Sequence, residues 1–247
     1  MYRELKHAVL SRYMLTAVVL AAAILCYAYI QNQAGWKTAD VLSLIALPMA
    51  LSGFTPFASI FPCLPYSLRF VEEYNTGYIR FVLLRKSRRQ YLIQKALITA
   101  GTGGLMMLAA FAAVFAVALW IGLSTETDSS GFYLVSPWYN LLPVWGGKMV
   151  LLLKLGLAFL FGCTWSLVCL LISVVFCNRY VAFLGTFLIY QSLWQLLPGS
   201  IFNPVYLLRG DYGGYVSFWV PALLQTAAIL LLVVLFLVLG ERKIQNV

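Results

Sequence analysis

The sequence predicts an all-α polytopic membrane protein with six transmembrane helices and both termini in the cytoplasm. Three observations lead there. Of its 247 residues, 62% are hydrophobic and only 10% are charged, against about a quarter charged in a soluble chain. Several apolar stretches reach the roughly 20 residues that a helix needs to cross a 30 Å hydrocarbon layer. The basic residues gather on one predicted side of those stretches. Short alternating segments of barrel type are absent, so the spans are expected to be helical.

Taken in order, residues 1–13 place Tyr2, Leu5, Val9 and Tyr13 on one side of a helix and Arg3, Lys6 and His7 elsewhere. That pattern suits a short helix lying in the inner interface. Residues 14–30 form the first span. A signal peptide is the rival reading, but Tyr27, Tyr29 and Ile30 offer no small-residue cleavage site. The second apolar run, about 41–62, contains Pro48, Gly53 and Pro56, so a kinked or broken helix is expected. Residues 66–95 form a cytoplasmic region dense in charge. The third span covers about 96–123, with Gly101, Gly103 and Gly104 permitting close helix packing.

Residues 124–148 turn polar and then aromatic, ending with Pro137, Trp138, Tyr139, Pro143 and Trp145, a composition that fits the water–lipid boundary. The fourth span runs 149–176, and Cys177, Asn178 and Arg179 make a tight turn into a fifth at 180–197. Residues 198–215 are too broken by glycine and proline for a span and too apolar for a solvated loop. A broken apolar hairpin, re-entrant or interfacial, is expected there before the last span at 217–240. The whole chain reads as one transmembrane domain, without an internal repeat.

Charge orients the spans. Thirteen Lys or Arg fall on the predicted inner side, while Lys37, Lys148 and Arg209 fall outside and Lys154 lies within the fourth span. This asymmetry is the positive-inside pattern. The net charge of +9 therefore marks topology and attraction to anionic lipid rather than binding to nucleic acid. The five cysteines lack metal or redox spacing and read as small buried hydrophobes.

No Gly-x-x-x-x-Gly-Lys-Ser/Thr loop occurs, so the chain has no visible ATP site of that kind, and His7 is the only histidine. No catalytic, cofactor or metal residues are expected. The predicted span cores hold no Asp or Glu, which argues against a proton-driven carrier. Lys154 either snorkels to the outer interface or faces a substrate path. Gln191, Gln195 and Trp194 either line a cavity or pack between helices. Trp120 and Trp138 read as interface anchors.

The most informative stretch is residues 66–95. It carries the acidic pair Glu72 and Glu73, a Gly77 break, an apolar section and the basic cluster Arg85, Lys86, Arg88 and Arg89. This predicts a helix, a change of direction and a second helix, resting against the membrane while offering the glutamates to a cytosolic partner. The other reading is an interfacial loop whose basic cluster holds the inner leaflet.

Phe70, Glu72, Glu73, Gly77, Ser87, Arg88, Tyr91, Leu92 and Lys95 resemble the segment between the second and third spans of ABC-2-type transporter permeases. The overall layout resembles that family along nearly the whole chain. The resemblance implies a multi-pass protein of a bacterial cytoplasmic membrane. It further implies a second permease subunit forming a homodimer, and a separate ATPase subunit that holds ATP and Mg. Phe70, Glu72, Glu73 and Gly77 would form the region coupled to that ATPase, with Arg88 and Lys95 fixing the return to the third span. Lys154, Gln191 and Gln195 are the candidate substrate path. Export of an amphipathic substrate (peptide, antibiotic or lipid-like) is the expected function. The alternatives are a non-transporting sensor or scaffold subunit and an ion-coupled secondary carrier. The fourth and fifth spans are joined by about three polar residues, which departs from the family pattern and puts a second coupling helix in doubt.

Overall fold

A computed structural model describes residues 2–31, 53–120, 141–212 and 217–245. Residues 41–52 of the second apolar run, 121–123 of the third span and the proline-rich aromatic stretch at 124–140 lie outside the described residues, as do 213–216. The described residues are helical or in short turns. In chain order the helices are α1 (Tyr2–Val9), α2 (Arg12–Gln31), α3 (Phe54–Phe57), α4 (Arg69–Asn75), α5 (Tyr78–Leu83), α6 (Arg88–Trp120), α7 (Leu142–Phe176), α8 (Arg179–Leu196), α9 (Pro204–Arg209) and α10 (Trp219–Gln245).

Among the described residues three helices, within α6, α7 and α10, are long and apolar enough to cross a membrane, and α2 is a shorter apolar helix. The outward side of α10 leaves Leu223, Leu230, Leu231, Val234 and Val238 uncovered. A helix that is apolar all round and buried on only one side belongs in hydrocarbon. The chain is a helical, multi-span membrane protein.

The helix α6 begins at Arg88, eight residues before the predicted start of the third span, because Ser87 and Arg88 open a helix that continues through Lys95. The helix α7 also begins early, and Gly146 (φ 74°, ψ 159°) breaks its first turn from the rest. At the other end of α7, Cys177 takes a left-handed conformation and Asn178 caps α8 by accepting from the amides of Tyr180 and Val181. The predicted tight turn is thus closed by two residues.

The described part of the second apolar run, residues 53–62, is broken as expected. Pro56 lies within the short α3, and a 3-10 turn that carries Pro62 follows at Phe61–Cys63. Backbone carbonyls freed by such a break must find donors in an apolar core. Tyr190 donates its hydroxyl to the Thr55 carbonyl at 2.7 Å, and Gln191 donates its amide to the Pro56 carbonyl at 2.8 Å. Around this joint, Phe54 stacks on Phe61 and meets Phe111 edge-on, while Trp165 meets Tyr190 edge-on.

Among the described residues the largest helix contact is between α6 and α7. Gly103, Gly104 and Gly162 bring the two backbones together, whereas Gly101 faces open space. Cys63, Cys163 and Cys169 are buried, and Cys26 and Cys177 are half-buried.

Candidate functional site

The basic end of the helices carries the cluster singled out by the sequence. The helix α4 ends where Thr76 folds back, its hydroxyl donating to the Glu72 carbonyl at 2.8 Å. Gly77 follows at φ 70° in the left-handed region, which an L side chain adopts only with strain, and α5 leaves in a new direction. The predicted helix, break and helix are therefore present at the predicted residues.

The two glutamates have separate surroundings. Glu73 points inward and is 14% exposed, accepting from Lys95 Nζ at 2.7 Å and from the Tyr91 hydroxyl at 2.7 Å. Lys95 also donates to the Tyr66 hydroxyl at 2.8 Å and lies over the Tyr66 ring. Burial, with the negative charge of Glu73 added, pushes the Tyr66 phenol above its ordinary value, so it remains protonated. The ion pair from Arg69 to Glu73 is longer, at 3.7 Å, and half in solvent, and adds little. Glu72, one residue earlier, is exposed. The acidic pair is thus one anchor and one surface group.

The α4–α5 segment is fastened to three long helices. Glu73 ties it to α6 through Tyr91 and Lys95. Phe70 is fully buried and meets Phe236 of α10 edge-on at 6.3 Å. Asn75 donates to the carbonyl of Cys177 at the end of α7 at 3.4 Å. Ile79 is buried in a cluster that includes Leu92, Leu170 and Val174, and Val82 and Leu83 pack against that cluster. Tyr78 stands exposed although it lies near Val82 around the helix. Arg88 is exposed at the start of α6.

The helix α1 does not lie apart on the surface. Leu5 and Ala8 pack on Tyr66 and Ile98, and Glu4 accepts from Gln94 at 2.9 Å. Glu241 near the end of α10 accepts from Arg89 at 2.8 Å. The first and last described helices therefore meet the same end of α6. Between α1 and α4 lies an open cleft of about 400 Å³, lined by Glu4, His7, Tyr66, Arg69, Glu72 and Thr76 among others.

The residues proposed to line a substrate path have separate surroundings. Lys154 is fully buried rather than snorkelling, and donates to the carbonyls of Leu208 and of Arg209, the latter at 2.8 Å. It caps the C-terminus of α9, where the last carbonyls lack helical partners and a cation is favoured. Gln191 is spent on Pro56, and Gln195 is exposed.

Residues 198–212 have a corresponding architecture. Asn203 caps α9 by accepting from the amide of Val205 and donates to the carbonyls of Trp194 and Leu197, while Gln225 donates to Leu207. This packed turn-helix-turn covers residues 198–212 of the expected broken apolar hairpin, whose residues 213–215 lie outside the described residues. Lys154 had a legible signal, since a charge inside a span needs acceptors, but α9 was not recognisable as the element supplying them. Replacing Lys154 by Met is expected to remove a buried donor from the carbonyls of Leu208 and Arg209. The cost is about 2 kcal/mol, and faster hydrogen exchange confined to residues 204–212 is the measurement that checks it.

Among the described residues no group of three His, Cys, Asp or Glu is placed to hold a metal ion. No protein-family model, curated protein or solved structure matches the chain.

Proposed function

We propose that the chain is the membrane-spanning subunit of an exporter driven by a separate ATPase subunit, as its resemblance to ABC-2-type permeases implies. The observation that carries this reading is the fastening of α4 to three long helices at once. A push on the exposed side of α4 has no soft joint to absorb it. It reaches α6 through Glu73 and Lys95, α10 through Phe70 and Phe236, and α7 through Asn75 and Cys177.

The ATPase docks against Glu72, Thr76 and the cleft beside α1, and binds ATP and Mg itself. Two copies of this chain enclose the route of an amphipathic substrate. ATP-driven approach of the ATPase subunits moves α4, which tilts the helices attached to it and opens the route outward. The turn between α7 and α8 is too short to offer a second docking helix, so α4 takes the load alone.

The test separates the two glutamates. The chain is purified gently from its native membrane and the accompanying soluble proteins are identified. A phosphate-loop ATPase is expected among them. Glu72→Arg is expected to reduce its recovery at least about tenfold, because a rim charge facing a complementary partner is reversed, while the chain's helicity and yield remain unchanged. Undiminished recovery in Glu72→Arg rejects the docking role. Substrate movement in vesicles without ATP rejects the mechanism. An associated ATPase that substrate leaves unstimulated identifies a sensor or scaffold instead.

A further inference from the structure

The outward side of α5 has no part in that coupling. Around a helix, Ile79, Val82 and Leu83 occupy one side and are covered by the neighbouring helices. The opposite side centres on Phe81 and Leu84, which are 67% and 84% exposed. Arg80 flanks them on one side and Arg85 on the other, both exposed, and exposed Arg88 follows a turn later. An apolar centre with cations on both flanks is the side-chain pattern of an element seated at a membrane interface.

Depth follows from α6. No charged residue occurs between Ala96 and Trp120, a length of about 38 Å at the helical rise, enough to fill the hydrocarbon layer. The preceding turns, Arg88 to Lys95, then lie at the depth of the headgroups. The chain just after α5 is held at that level, because Lys86 donates to Gln94 at 2.7 Å. The helix α1, which leads to a corner where Leu10 and Tyr13 are exposed beside Arg12, meets the same turns of α6 through Glu4 and Gln94.

We propose that α5 and the turn after it bind anionic phospholipid of the adjacent leaflet. Phe81 and Leu84 enter the acyl boundary, and Arg80, Arg85 and Arg88 hold the phosphate headgroups. Bidentate guanidinium–phosphate pairing favours arginine in this role. The occupant is a lipid rather than an acidic protein because the two apolar side chains sit at headgroup depth. Such a site requires no ATPase.

The full chain carrying Leu84→Trp is reconstituted into nanodiscs of mixed phosphatidylcholine and phosphatidylglycerol. Bromine is placed on the acyl chains of one lipid or the other, and the native tryptophan signal is subtracted with the parent protein. Brominated phosphatidylglycerol is expected to quench the added tryptophan about twice as strongly as brominated phosphatidylcholine at the same mole fraction. Combining Leu84→Trp with Arg80→Gln, Arg85→Gln and Arg88→Gln is expected to abolish that preference. Equal quenching by the two lipids overturns the anionic site. Emission that stays water-like and unquenched by either overturns the seating of α5, and assigns that face to a protein partner. Co-purification of the ATPase is read separately, through Glu72, so either reading can fail alone.

Discussion

Replacing Lys95 by Met is expected to destabilise the protein by about 3–5 kcal/mol, the usual cost of removing one member of a buried ion pair. Lys95 is almost fully buried, and its ammonium serves Glu73 at 2.7 Å and Tyr66 at 2.8 Å. With Lys95 gone, Glu73 keeps the Tyr91 hydroxyl but no close cation except the half-solvated Arg69. The carboxylate must then take up a proton or pull away from the core, and either outcome loosens α4 from α6.

Changing Glu73 to Gln in the same protein removes the stranded charge. The double variant is therefore expected to be more stable than Lys95→Met alone by at least about 1 kcal/mol, because substitutions at residues in contact do not add. Unfolding of the purified protein in mixed micelles, followed by circular dichroism, measures both. A double variant no more stable than Lys95→Met would show that the pair acts only through packing.

This contrast explains what was legible in the sequence. The acidic pair, the glycine break and the basic cluster were visible as a pattern, and Gly77 occupies its expected left-handed position. Which glutamate faced inward was not visible. That choice depends on Lys95 and Tyr91, which lie about one turn apart on a helix starting eight residues earlier than the hydropathy suggested. Hydropathy marks where charge stops, while the helix starts where Ser87 and Arg88 can open it. The broken second run was legible because proline removes a donor whatever surrounds it. Its repair by Tyr190 and Gln191, more than a hundred residues later in sequence, depends on tertiary packing. Lys154 shows the same limit. The residue stood out as a charge in an apolar span, but its acceptors belong to α9, a helix of six residues with no periodicity of its own to reveal it.

The contact between α6 and α7 carries the other large expected effect. A Cβ on Gly162 would stand 2.8 Å from the Gly103 carbonyl carbon and 2.9 Å from the Gly104 Cα. A Cβ on Gly103 would stand 2.7 Å from the Gly162 carbonyl oxygen. At Gly162 the obstructing atoms are all backbone, so a rotamer change cannot relieve the clash and the helices must separate. In a membrane, helix association relies on close packing rather than on hydrophobic expulsion of water, so separation forfeits the force that holds the pair. Gly162→Leu is expected to cost about 3 kcal/mol, at the upper end for overpacking, and Gly162→Ala less. Gly101→Ala, on the same helix but facing open space, serves as the comparison and is expected to be neutral or slightly stabilising through helix propensity. Equal losses at Gly101 and Gly162 would rule out the close approach of the two helices as the cause, since Gly101 makes no such approach. A loss confined to Gly162, accompanied by weaker cross-linking between cysteines placed on facing turns of α6 and α7, ties the effect to the approach of the two helices.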